Sequence, residues 1–163
     1  MPNRTANTTG DEAKAELARE AGADAVCVYA REDFAAAARA FTGGRGVDVA
    51  YDPVGGDLGD ITRRLMAWEG RLVVVGFASG RIPDHPANHV LVKNYAVVGL
   101  HWGAYVEHGG RAVIEAAHED LLRLYRAGSI RSDVTDTVPL ADVPHALAAL
   151  EARAVTGRLV VTP

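Results

Sequence analysis

Apolar positions along this chain fall into two alternating rhythms. Short contiguous apolar runs, such as Ala25 to Tyr29 and Leu72-Val73-Val74-Val75, are separated by stretches in which alanine and leucine recur every three or four positions. The first pattern suits strands covered on both faces and the second suits amphipathic helices. Thr9 and Glu12 have the Thr-x-x-Glu spacing of a capping box and predict a helix to about Glu20, stopped by Gly22. A strand over Ala25 to Tyr29, a helix over Glu32 to Phe41 ended by Thr42-Gly43-Gly44, and a strand over Val47 to Tyr51 closed by Asp52-Pro53 follow. Asp57 to Trp68 reads as a helix and Arg71 to Gly76 as a strand. Ala78 to Asn94 holds Gly80, Pro83 and Pro86 and reads as an irregular excursion with a helical turn near Leu91. Tyr95 to Leu100 is then a strand. Ala112 to Ala127 is a long helix with Ile114, Ala117, Leu121 and Leu124 on one face and Gly128 as its stop. Val134 to Val138, Asp142 to Arg153 and Arg158 to Val161 complete the series as strand, helix and strand, with Pro144 near the helix start.

This alternation predicts an α/β fold with an incomplete Rossmann-like, mostly parallel sheet flanked by helices. With 163 residues, 48% hydrophobic and 23% charged, the chain can bury a single core without disulfides or metals. The net charge of -4 offers no basic footprint for nucleic acid or an anionic membrane surface. The lone Cys27 excludes an internal disulfide and suits a reducing compartment. The polar stretch from Met1 to Asp11 is unlike a signal peptide, and no apolar run is long enough to span a bilayer. A soluble, cytoplasmic protein is the expectation.

Five segments carry a more specific signal: residues 17–24 (Leu17 to Asp24), 42–48 (Thr42 to Asp48), 52–56 (Asp52-Pro53-Val54-Gly55-Gly56), 70–77 (Gly70 to Phe77) and 156–161 (Thr156 to Val161). In this order they resemble the quinone oxidoreductase branch of the medium-chain, zinc-type alcohol dehydrogenase superfamily. The resemblance implies NADPH-dependent reduction of a quinone or enone by hydride transfer, on a subunit with an N-terminal GroES-like catalytic domain followed by a nucleotide-binding domain. Against that pattern the sequence holds no Gly-x-Gly-x-x-Gly turn. Residues 1–163 are therefore expected to be a partial dinucleotide-binding domain, without the GroES-like domain, the first strand, the glycine-rich turn, the first helix and most of the second strand. Because that turn carries the pyrophosphate at a helix N-terminus, NADPH binding is expected to be weak or lost, and no residue is assigned a catalytic role. Whether the chain acts as an enzyme by itself stays open. The alternatives are a non-catalytic dimerisation or interaction module, or a gene fragment.

The resemblance also implies cofactor positions. Thr9 falls where NAD-preferring domains end their second strand in an acid, and Lys14 resembles a lysine that reaches the adenosine ribose or its 2′-phosphate; a solvated helix lysine is the other reading. Tyr29 corresponds to a residue near the adenine, or simply caps an apolar strand. Gly76 and Phe77 follow the strand leading to the nicotinamide ribose, and Leu100, His101 and Trp102 would face the nicotinamide. Arg153 resembles a cofactor-contacting arginine, although an arginine ending a helix is favourable without a ligand. Gly55-Gly56-Asp57-Leu58-Gly59 has the wrong spacing for a phosphate cradle, and Asp57 puts negative charge at the helix start, so a tight structural turn is preferred there. His85 and His89 are four apart, but Pro83 and Pro86 disfavour a shared helical face, and no metal site is expected. The edge segment Tyr95 to Leu100 and strands left open at the sheet's middle predict a homo-oligomer.

Overall fold

The structure is a computed structural model describing residues 4–152 and 154–163. Strands and helices alternate throughout: β1 (Ala6–Thr9), α1 (Glu12–Glu20), β2 (Ala25–Val28), α2 (Phe34–Thr42), β3 (Val47–Asp52), α3 (Gly56–Leu65), β4 (Met66–Val74), α4 (Ala87–Lys93), β5 (Ala96–Gly99), α5 (Arg111–Arg126), β6 (Val134–Pro139), α6 (Val143–Glu151) and β7 (Arg158–Thr162). Every strand pair is parallel, as an α/β fold with helical crossovers requires.

The strands form three ladders: β1–β2, β3–β4–β5 and β6–β7. Among the described residues no ladder joins β1 to β3, so each presents an open edge. Helix α2 packs against β1, β2 and α3 and so links the first ladder to the second. The guanidinium of Arg4 adds to that link, donating to the Phe41 carbonyl at 3.1 Å while lying 4.1 Å from the Phe41 ring centroid. The core gathers under the middle ladder, where Met66, Leu72 and Tyr95 are buried together and Ala50 and Val90 pack on them. Burying side chains the size of Met66 and Leu72 contributes about 1.5–3 kcal/mol each.

The single core expected from composition is concentrated in residues 15–95, which hold all the buried apolar side chains among the described residues. Along α5, Ile114, Ala117 and Leu124 are only half-buried and Leu121 is exposed. The physical reason is the broken sheet: β6 and β7 pair only with each other, which narrows the surface on which α5 and α6 can rest.

Two expected boundaries are corrected. The helix predicted to reach Trp68 ends at Leu65, and Met66 already pairs with Val47. Residues 67–70 bulge out of the β3–β4 register, with Glu69 at φ 59°, before Arg71 resumes the ladder opposite Val49. Gly46 permits this crowding: a Cβ there would stand 2.8 Å from both the Ala67 nitrogen and the Leu65 carbonyl, and its φ of 98° favours glycine. The excursion after β4 contains a regular helix, α4, because Pro86 precedes its first turn and Asn94 ends it at φ 50° in the left-handed region. No helix among the described residues is long and apolar enough to cross a membrane.

Candidate functional site

Parallel ladders send all their carboxyl ends the same way, and in open α/β sheets ligands bind in the crevice beyond those ends. In this chain the ends are Thr9 and Val28 in one ladder and Asp52, Val74 and Gly99 in another. Beyond β1, the turn Thr9-Gly10-Asp11 leads into α1. Asp11 is the N-cap: its carboxylate accepts the Lys14 backbone N–H at 2.9 Å and pairs with Lys14 Nζ at 2.9 Å. The expected Thr9–Glu12 capping box does not form, because Thr9 is still in the strand opposite Val28, and its hydroxyl donates to the Asp11 carbonyl at 3.1 Å. Glu12 instead accepts from Arg19 at 2.9 Å and pairs with Arg31. The hydrogen bond from Lys14 holds the Asp11 carboxyl below the usual aspartate range, and Arg19 does the same for Glu12.

Tyr29 reaches this turn from β2. Its backbone N–H donates to the Thr9 carbonyl at 3.1 Å. Its phenol lies over Gly10, where an added Cβ would come within 3.1 Å of Oη. Thr9, Lys14 and Tyr29 therefore share one end of the first ladder.

At the end of β3, Asp52 is buried, 7% exposed. Its Oδ1 accepts the backbone N–H groups of Val54 at 2.9 Å and Gly55 at 2.8 Å. The chain then turns through Gly55 (φ 64°) and Gly56 (φ 58°), and a Cβ on Gly56 would meet Ser79 Oγ at 2.5 Å. The Gly56 N–H donates to the Arg81 carbonyl at 2.9 Å. Arg81 pairs with Asp57 at 2.9 Å and also with Asp60, whose carboxyl it holds below the usual range. The amides that could cradle a phosphate are thus taken by an internal carboxylate and a carbonyl, which fits a structural turn. The sequence reading missed Asp52, Ser79 and Arg81. An Asp two residues before an amide in Asp-Pro-x-Gly is an Asx-turn signal that could have identified the first.

The ends of β4 and β5 lie beside this turn. Val75 donates to the Asp52 carbonyl at 2.9 Å, Ala78 to Pro53 at 3.1 Å, and Ser79 to Val54 at 3.0 Å. These bonds hold Gly76 and half-exposed Phe77 against the 53–55 segment. Leu100 donates to the Val74 carbonyl at 2.9 Å, which brings His101 and Trp102 to the same end. Trp102 opens a 3-10 turn and lies 5.2 Å from the Tyr105 ring. His101 and Tyr105 line a recess of about 350 Å³ with His108 and Val113. Gly76, Phe77, Leu100, His101 and Trp102 are so gathered at one ladder end, apart from the Thr9–Lys14–Tyr29 group. Arg153 lies outside the described residues.

The histidine pair is divided. His89 is on α4, its Nδ1 3.4 Å from Tyr95 Oη and its ring edge-on to that tyrosine, whereas His85 precedes Pro86 and the helix. Burial pushes the His89 imidazole below its ordinary range. Among the described residues no group of three or more His, Cys, Asp or Glu side chains is placed to hold a metal ion.

Comparison with known proteins agrees with this architecture. Residues 21–161 match the family model described as zinc-binding dehydrogenase. The quinone oxidoreductase-like protein 2 of Rattus norvegicus is 35% identical over 153 residues, covering 94% of this chain and 43% of that protein. A 2-haloacrylate reductase from Burkholderia is 28% identical, covering 96% of this chain and 47% of that protein. The crystal structure of Escherichia coli quinone oxidoreductase complexed with NADPH superposes with a TM-score of 0.87 at 29% identity, covering 98% of this chain and 49% of that one. The chain spans about half the length of these relatives. By sequence and fold together, it belongs to the zinc-binding dehydrogenase family and within it is similar to the quinone oxidoreductases.

Proposed function

We propose that these residues are the partial nucleotide-binding domain of an NADPH-dependent quinone or enone reductase. The residues span about half the length of the relatives they match and hold no Gly-x-Gly-x-x-Gly turn. The observation that carries it is the gathering of Thr9, Lys14 and Tyr29 at one set of strand ends and of Gly76, Phe77, Leu100, His101 and Trp102 at another. NADPH, when bound, supplies the hydride, and the protein's part is to orient it. Thr9 leaves room for a 2′-phosphate because it carries no carboxylate. Lys14 would exchange its pairing with Asp11, 2.9 Å away, for that phosphate. Tyr29 would flank the adenine over Gly10, Phe77 and Gly76 would border the nicotinamide ribose, and Leu100, His101 and Trp102 would face the ring, with Arg153 as a further contact. The turn at Gly55–Gly56 is filled by Asp52 and Ser79 and does not supply the pyrophosphate site.

On this reading the 163 residues alone do not reduce quinones, and they work in the cytoplasm. A steady-state assay with NADPH and several quinones tests it: the expected rate is that of the no-protein control, and turnover well above it contradicts the proposal. A second reading, an interaction module that self-associates, is favoured by open sheet edges. Val97 and Val98 on β5 are 37% and 42% exposed, and Val49 and Tyr51 on β3 are 60% and 66% exposed.

A further inference from the structure

At the amino ends of β3 and β4, opposite the strand ends described above, α2, α3 and α4 finish around a cavity of about 370 Å³. Four cationic side chains line it, Arg39, Arg45, Arg64 and Lys93, and no carboxylate does. Trp68, lifted out of the ladder by the bulge at 67–70, stands at the rim and is 68% exposed. A volume of this size lies within the range of small-molecule sites.

Cations beside helix C-termini need no ligand, since each terminus carries about half a negative charge. That account falls short here. Three helix ends supply at most about one and a half negative charges, and the Asp48 carboxylate offsets only Arg45, with which it is paired. Lys93 satisfies one carbonyl, donating from Nζ to Arg64 at 2.6 Å. Arg39 and Arg64 have no carboxylate partner among the described residues. More than one positive charge is left over, facing the cavity. Burial and the nearby Arg39 charge both push the Lys93 ammonium below its ordinary range, the direction expected where cations crowd without a counter-ion.

The geometry points to a second ligand site, for a small organic anion with a planar aromatic group, such as an aryl phosphate. Arg39 and Arg64 would hold the anionic group and the Trp68 indole would stack on the ring. This site lies at the end of the sheet opposite the proposed cofactor contacts and does not depend on them.

The test is titration of the full chain with phenyl phosphate, read by Trp68 fluorescence in a Trp102→Phe background at constant ionic strength. A saturable change is expected, with inorganic phosphate binding at least fivefold more weakly and phenol giving no saturation. Arg39→Gln/Arg64→Gln, two exposed positions, should weaken phenyl phosphate at least tenfold, while Trp68→Ala, read by ligand NMR, should abolish the preference over inorganic phosphate. Lys14→Ala should leave the response unchanged. No saturable response, a response equal to that of added chloride, or one insensitive to the arginine substitutions would overturn the inference.

Discussion

Replacing Asp52 tests how the turn after β3 is held. Its carboxylate accepts two backbone amides through one oxygen, at 2.9 and 2.8 Å, and is 7% exposed. Hydrogen bonds to an ionised group contribute about 1.5–3 kcal/mol, and a buried donor left without a partner costs about 1–3 kcal/mol. Because the two amides share one acceptor, Asp52→Ala is expected to cost about 3 kcal/mol rather than the full sum. Asp52→Asn keeps an acceptor in nearly the same place and should cost about 1 kcal/mol. Against a total stability of about 5–15 kcal/mol, the alanine variant should show a much lower urea midpoint at unchanged slope. Hydrogen exchange at the Gly55 amide should accelerate in the same variant. An Asp52→Ala midpoint indistinguishable from the parent, or an asparagine variant as unstable as the alanine one, would refute the assignment of the turn to this carboxylate.

Four further outcomes follow from the packing, the charges and the open strand edges. Leu72→Ala should lose about 2–5 kcal/mol by urea unfolding, since Leu72 is fully buried in one cluster with Met66 and Tyr95. Gly46→Ala should destabilise by more than about 1 kcal/mol, as its φ is positive and its Cβ would press on backbone atoms at 2.8 Å; a neutral effect would contradict the close approach. The Asp60 carboxyl titrates below its ordinary value because of Arg81, so its contribution is present above about pH 3.9 and is lost as pH falls through the folded value. Arg81→Gln should raise the Asp60 titration seen by NMR and should matter less to stability in acid than at neutral pH. The open edges predict self-association at high micromolar concentration, and light scattering from a clean monomer would argue against it.

The order of elements was legible because it rests on local signals. The contiguous apolar run at Leu72 to Val75 reads as a covered strand, and Gly22, Gly43 and Gly128 end helices as their positive φ angles permit. What escaped depends on long-range contacts. The helix read to Trp68 stops at Leu65 because Met66 is drawn into the ladder opposite Val47. Thr9 looked like an N-cap because Thr-x-x-Glu fits the motif, but strand pairing with Val28 holds it extended and passes the role to Asp11. The proposed cofactor positions came from family resemblance, and what the fold adds is their grouping at strand ends. The basic cavity was not legible, since Arg39, Arg64, Trp68 and Lys93 come from three helices and a bulge.

The proposed function places the adenosine of NADPH near Thr9, Lys14 and Tyr29 and its nicotinamide near Phe77 and His101. Titration of the isotopically labelled chain with NADPH and NADH by NMR tests it most directly, with Lys14→Ala alongside. The predicted result is weak binding, a dissociation constant of about 1 mM or weaker, near -4 kcal/mol, tighter for NADPH than NADH. The shifts should centre on Lys14, Tyr29, Phe77 and His101, and Lys14→Ala should remove the NADPH preference. Equal responses to the two nucleotides, shifts scattered away from these strand ends, or no effect of Lys14→Ala would contradict it.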